Sequence, residues 1–223
     1  MSGRPSGGQP GYRQPGEGQP ASGPPDHEAG EEITTLTSRI AYENPWTRVR
    51  EDTIRRRDGS EGLYGVVERS DFVVVVPWDG TRITLVEQYR YPVRSRQWEL
   101  PMGMWESRPG TDPAVIAAGE LREETGLVAG RMLYAGDMFQ GAGYSTQRGH
   151  VFLATELTQG AEERERSEQD MICRSFPMAE VEQMVRDGVL RDAMTIAALG
   201  LLRIRGMLRD QPASPQPDPS ARP

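Results

Sequence analysis

The stretch Glu120-Leu121-Arg122-Glu123-Glu124-Thr125-Gly126 restricts the fold more than any other, because it sets three carboxylates at i, i+3 and i+4 directly before a glycine. On a helix such side chains lie about 5–6 Å apart and face one way. Both ends of that helix can be read: Asp112 is a good N-cap, Pro113 suits the first helical position and Gly126 suits the position after the last turn. Ala114, Ala117, Ala118, Leu121 and Thr125 recur at helical spacing on one side, and all but Leu121 are small, so the helix can sit close against a sheet. The acids then point toward solvent or a cleft. Acidic faces are usually solvated, but carboxylates so spaced also suit a hard cation such as Mg²⁺, which takes oxygen ligands and holds substrate phosphates.

The residues before the helix favour the second reading. Gln88-Tyr89-Arg90-Tyr91-Pro92-Val93 is followed by Gln97-Trp98-Glu99-Leu100-Pro101-Met102-Gly103 and then Pro109-Gly110-Thr111-Asp112-Pro113, giving a strand, a Gly-rich loop and a helix in order. This arrangement resembles the Nudix hydrolases. Glu120, Leu121, Glu123, Glu124, Gly126 and Leu127 match the second half of their signature box. The phrases 88–93 and 99–103 resemble the branch that cleaves ADP-ribose and related nucleoside diphosphate sugars, and the likeness spans roughly residues 40–205. It implies an α/β (α+β) fold, an α/β/α sandwich with a mixed sheet.

The first half of the box departs from the pattern. Counting back from Gly126, its acid falls on Thr111 and its arginine on Gly119, while Gly103 comes two residues early. Losing an ion pair together strands no lone charge, so the paired loss is the easier one to survive. Glu106 is a weak replacement candidate for the missing acid. Gly119 costs the helix about 1 kcal/mol relative to alanine. A second reading follows from the degenerate box: a Nudix domain that only binds a nucleotide sugar, as a sensor or interaction module.

The resemblance also assigns roles. It implies metal ligation by Glu120, Glu123, Glu124 and the Met102 carbonyl, with Mg²⁺ as cofactor and Mn²⁺ as an alternative, and it makes Glu120 and Glu124 catalytic. It implies that Arg90 contacts the diphosphate or terminal ribose, a task suited to a planar guanidinium. Glu99 matches an acid that binds ribose or supports the metal. In that branch a glutamate from the loop before a late strand helps bind metal or acts as general base; Glu168 or Asp170 stands there, and Glu168 is preferred. The proline that commonly marks ADP-ribose hydrolases falls here on Ala142, so the sugar is not fixed. Trp46 can stack on an adenine, with core packing the favoured alternative. His150 and His27 show no spacing that makes a metal pair.

Residues 1–30 and 211–223 are rich in Pro, Gly and polar residues and are expected to be disordered arms flanking one domain, 31–210, a Nudix domain with an N-terminal strand extension. Residues 1–30 hold no apolar run of the kind a secretory signal or membrane anchor needs. Cys173 is alone, which points to a small buried hydrophobe and a reducing, cytoplasmic compartment. A net charge of −7 argues against general nucleic-acid binding. Strands are expected near 62–67, 72–77 and 83–89 as a meander turning at Asp79-Gly80, then near 131–139, 150–155 and 171–176, with helices near 179–187 and 192–209. Arg55-Arg56-Arg57 reads as a solvated patch before a turn at Asp58-Gly59. In the last helix Ala193, Ile196, Ala197, Gly200, Leu201 and Ile204 form a face for core or dimer contact. The expected partners are a small nucleoside diphosphate sugar and a second copy of the chain in a homodimer, with no nucleic acid and no membrane.

Overall fold

The structure is a computed structural model and describes residues 32–104, 110–160 and 170–208. The expected arms, His27, Glu106 and Glu168 lie outside the described residues. Three strands open the chain, β1 (Ile33–Asn44), β2 (Thr47–Arg56) and β3 (Glu61–Glu68), paired antiparallel in sequence order. They are followed by β4 (Phe72–Pro77), β5 (Arg82–Arg90), β6 (Ser95–Glu99) and β7 (Met102–Gly103), then the helix α1 (Pro113–Thr125). After it come β8 (Leu127–Phe139), β9 (Arg148–Gln159), β10 (Ile172–Pro177), α2 (Met178–Arg186) and α3 (Ala193–Ile204).

The expected meander is not present. β3, β4 and β5 enter three different sheets, ordered β1-β2-β3, β7-β4-β9-β8 and β10-β5-β6. The turn at Asp79-Gly80 does form, with Asp79 Oδ1 accepting from the Thr81 and Arg82 amides at 2.8 and 2.7 Å. Beyond it the strands separate, because β4 prefers a parallel partner, β9, and β5 pairs with β6 and β10. Local turn chemistry sets a hairpin tip, whereas burial on both faces decides which strands finally pair.

β4 shows why. Val73 and Val75 face α1, packing with Ala117, Leu121, Phe152 and Ala154. Phe72, Val74 and Val76 face the other way, toward Leu85, Phe176 and the α3 residues Met194, Ala198 and Leu202. A strand alternates its side chains between faces, so an unbroken apolar run belongs between two layers. Helices on both faces of a mixed sheet make the expected α/β/α sandwich.

Three further expectations need correction. Ala118 is exposed and is not on the packed side of α1. In α3 the buried face is Met194, Thr195, Ala198 and Leu202; of the expected stripe Leu201 packs against the core, whereas Ala193, Ile196 and Ala197 are exposed and Ile204 is 88% exposed, so those four are not core. Trp46 is 59% exposed at the β1–β2 turn and packs in no core cluster. For the two helices the apolar spacing fits a helix, but which side is buried depends on the neighbours that pack against it. Cys173 is half-buried in β10, and the patch before Asp58-Gly59 leads into the expected β2–β3 turn. Among the described residues no helix is long and apolar enough to cross a membrane.

Candidate active site

The acidic helix begins and ends where its caps place it. Asp112 Oδ1 accepts from the Ala114 amide at 2.8 Å. Gly126 takes φ 71°, a left-handed value that glycine adopts without a Cβ clash, and its amide bonds the Arg122 carbonyl at 2.9 Å. Leu121 and Ala117 hold α1 against β4 and β9, which turns the neighbouring face toward β7. Glu120 and Glu124 lie on that face and are buried, at 6% and 1% exposure; Glu123 is half-buried. The bland reading of a solvated acidic face therefore fails for two of the three.

The backbone of β7 is shaped to the two acids. Glu124 Oε2 accepts from the Met102 amide at 3.2 Å. A Cβ at Gly103 would stand 2.5 Å from the Glu120 carboxyl carbon and from its Oε2, so only glycine lets that carboxylate lie where it does. The early glycine of the degenerate box thus has a local function: it makes room for the first acid of the helix. Among the described residues no three His, Cys, Asp or Glu side chains converge into a closed metal group. The donor set nevertheless fits Mg²⁺, which is commonly held by one or two carboxylates with waters and substrate phosphates completing its shell. Glu120 and Glu124 are the buried acids that could hold such an ion, with Glu123 half-buried beside them.

Arg90 and Glu99, expected as separate substrate contacts, are brought together. The Glu99 carboxylate, 3% exposed, accepts from Arg90 Nε at 2.9 and 3.0 Å and also from Nη2. Burial works to lower the Arg90 pKa, but the hydrogen bond and charge of Glu99, with Glu124 and Asp192 adding, carry it above the ordinary guanidinium value. The charge on Glu124 is thus felt at Arg90. Removing Arg90 would leave the Glu99 carboxylate buried and unpaired, whereas removing Glu99 leaves an arginine whose side chain is 39% exposed, so the first loss is the costlier.

These groups border a cleft of about 720 Å³, within the range of small-molecule sites. Arg90, Glu99, Met102 and Gly103 line it. Sequence reading missed its other charged walls, Arg69, Arg191 and Asp192. Asp192 had a local signal as the cap of the last helix, where its Oδ2 accepts from the Thr195 amide at 2.7 Å; nothing local aims Arg69 or Arg191 at a cleft. The loop bearing Ala142 is tied to the first sheet: the Val67 amide donates to the Tyr144 carbonyl at 2.7 Å, and Ser145 Oγ donates to the Val67 carbonyl at 2.7 Å. Asp170, the alternative base, is exposed and accepts from Arg96 at 3.1 Å, a contact outside the cleft. His150 stands 3.6 Å from Asp71 and belongs to no metal group among the described residues.

Residues 33–67 match the nucleoside diphosphate sugar hydrolase N-terminal domain, and residues 67–199 match the NUDIX domain. The chain is 32% identical over 173 residues to an ADP-ribose pyrophosphatase of Mycobacterium tuberculosis, covering 77% of this chain and 83% of that protein. It is 30% identical over 139 residues to an ADP-ribose pyrophosphatase of Bacillus subtilis, covering 62% and 74% respectively. The fold superposes on the crystal structure of an ADP compounds hydrolase with TM-score 0.69 and 18% identity, over 79% of this chain and 97% of the other. With its acidic helix, its cleft and these relatives taken together, the chain belongs to the Nudix hydrolases, with a nucleoside diphosphate sugar hydrolase N-terminal domain ahead of the Nudix domain.

Proposed function

We propose that this enzyme hydrolyses the diphosphate bridge of a nucleoside diphosphate sugar, with ADP-ribose the first candidate, in a Mg²⁺-dependent reaction for which Mn²⁺ is an alternative. The observation that carries the reading is the burial of Glu120 and Glu124 against Met102-Gly103, beside a cleft walled by the Arg90–Glu99 pair. Water attacks one phosphorus, the bond from that phosphorus to the bridging oxygen breaks, and a nucleoside monophosphate and a sugar phosphate leave. A bound divalent ion, which Nudix hydrolases generally use, supplies neutralisation of the charge that builds on the diphosphate oxygens.

The chain's own residues do the rest. Glu120 and Glu124, with Glu123 and the Met102 carbonyl, hold the cation; Glu168 takes the proton from the attacking water. Arg90, oriented by Glu99, presents the remaining N–H groups of its guanidinium to the diphosphate or ribose oxygens. The enzyme works in the cytoplasm as a homodimer in which the N-terminal strands of one copy lie near the partner's cleft. Support for the dimer comes from Ile33, Ile40, Tyr42 and Leu63, large apolar side chains exposed on the first sheet.

The test compares Glu124→Gln with Glu182→Gln, an acid of α2 remote from the cleft. Each is incubated with ADP-ribose, UDP-glucose and GDP-mannose plus Mg²⁺, and released nucleoside monophosphate is measured. An amide keeps the size and helix propensity of glutamate but brings no charge to a cation, so Glu124→Gln is expected to lose on the order of 10²-fold or more. Equal rates for wild type and Glu124→Gln on every substrate would refute the reading, and no turnover by wild type would favour the binding module.

A further inference from the structure

The cleft contains positive charge that the proposed reaction does not use. Acids outnumber arginines in this chain, 33 to 26, so an arginine without an acid partner is informative. Most described arginines are engaged: Arg39, Arg48, Arg50, Arg55, Arg96 and Arg148 all sit in ion pairs, and within the cleft Arg90 is held by Glu99. Arg69 and Arg191 line the same cleft, yet among the described residues neither side chain makes a hydrogen bond or ion pair. The others without a side-chain partner, Arg57, Arg94 and Arg131, lie outside it.

Both backbone positions are fixed by their neighbours. Arg69 is followed by Ser70, whose carbonyl accepts from Gln147 Nε2 at 2.7 Å, and by Asp71, whose Oδ1 accepts from the Arg148 amide at 2.9 Å. Arg191 precedes Asp192, pinned as the α3 cap. Two arginines therefore line the cleft from just after β3 and just before α3, elements that contribute none of the cation-holding acids. Both arginines are exposed at the cleft, and planar guanidinium forks suit the phosphate and carboxylate oxygens of an incoming ligand.

We infer that Arg69 and Arg191 form an anion-recognition pair that selects nucleoside diphosphate compounds carrying a further phosphate or carboxylate outside the diphosphate bridge. The inference rests on the nucleoside diphosphate sugar reading and deepens it. The diphosphate itself has its own countercharge at the acidic helix with its cation and at Arg90, which leaves these two groups for a third anion.

The experiment uses the full chain and two matched ligand pairs that differ by one anion: UDP-glucose with UDP-glucuronate, and ADP-ribose with its adenosine 2′-phosphate ester. Affinities are measured by calorimetry with Ca²⁺ replacing Mg²⁺, under conditions where no monophosphate is released, and turnover is measured separately with Mg²⁺. In at least one pair wild type is expected to bind the more anionic member about tenfold more tightly, the scale of one charge-assisted contact. Arg69→Ala and Arg191→Ala each lower that ratio several-fold, the double variant brings it to about one, and Arg57→Ala leaves it unchanged. No preference in either pair for wild type overturns the inference. So does a double variant that weakens both members of a pair equally, since the arginines would then serve the diphosphate or packing alone. A ratio that collapses as expected in a protein that hydrolyses none of the four compounds supports the anion pair and overturns the hydrolysis reading, so the two can fail separately.

Discussion

The first sheet is nearly all strand and the Nudix body mixes strands with three helices, and the two are stabilised in different ways. Along β4 every residue is buried, between α1 on one face and α3 with β5 and β10 on the other. Along β1 not one residue is buried, and in the whole sheet Ile54 is the single buried apolar side chain among the described residues. What holds the sheet in one chain is its ladder and a set of cross-strand charge pairs such as Arg39–Glu51 and Arg50–Glu68. Exposed pairs of that kind contribute about 0–1 kcal/mol each. Large apolar side chains left in water on a three-stranded sheet motivate the second copy proposed above.

The largest expected effect tests the contrast directly. Leu121→Ala empties a fully buried position between α1 and β4 and is expected to cost about 2–5 kcal/mol in chemical denaturation. Leu63→Ala, 67% exposed on β3, is expected to change stability by no more than about 0.5 kcal/mol at low protein concentration. Equal losses would mean that the first sheet is as buried in solution as the body. An intermediate effect is expected for Tyr42→Ala, on the open face of β1. Sedimentation of wild type should give about twice the 24.8 kDa chain mass, and loss of one aromatic anchor should raise the dissociation constant about tenfold or more. A wild-type monomer with full turnover would remove the dimer and leave the exposed face unexplained.

The smallest effect is at Glu182. The Arg203 hydrogen bond holds the Glu182 carboxyl below its ordinary value against the opposing effect of desolvation, with the charges of Arg203 and Arg186 helping. Because the folded value is the lower one, the stabilisation is present above the unfolded pKa and is lost as pH falls through the folded value. The stability difference between wild type and Glu182→Gln should therefore be about 0.5 kcal/mol or less near neutral pH and vanish in acid, since the pair is solvent-exposed and screened. A difference that persisted in acid would point to packing rather than charge.

By itself the sequence determined the elements whose causes are local. Asp112, Pro113 and Gly126 bound α1 because capping involves groups only a few residues apart, and the spacing of Glu120, Glu123 and Glu124 followed from helical geometry alone. The alternation or continuity of apolar residues placed most strands within a few residues. Only the tertiary structure decided which strands pair, because β4 finds β9 across more than seventy residues and that choice depends on burying both faces at once. It also decided that Arg90 grips Glu99, that Gly103 makes room for Glu120, and that Arg69 and Arg191 meet in one cleft. The first follows from the register in which β5 pairs with β6 and the others from the packing of separate segments, and none is set by immediate neighbours in sequence.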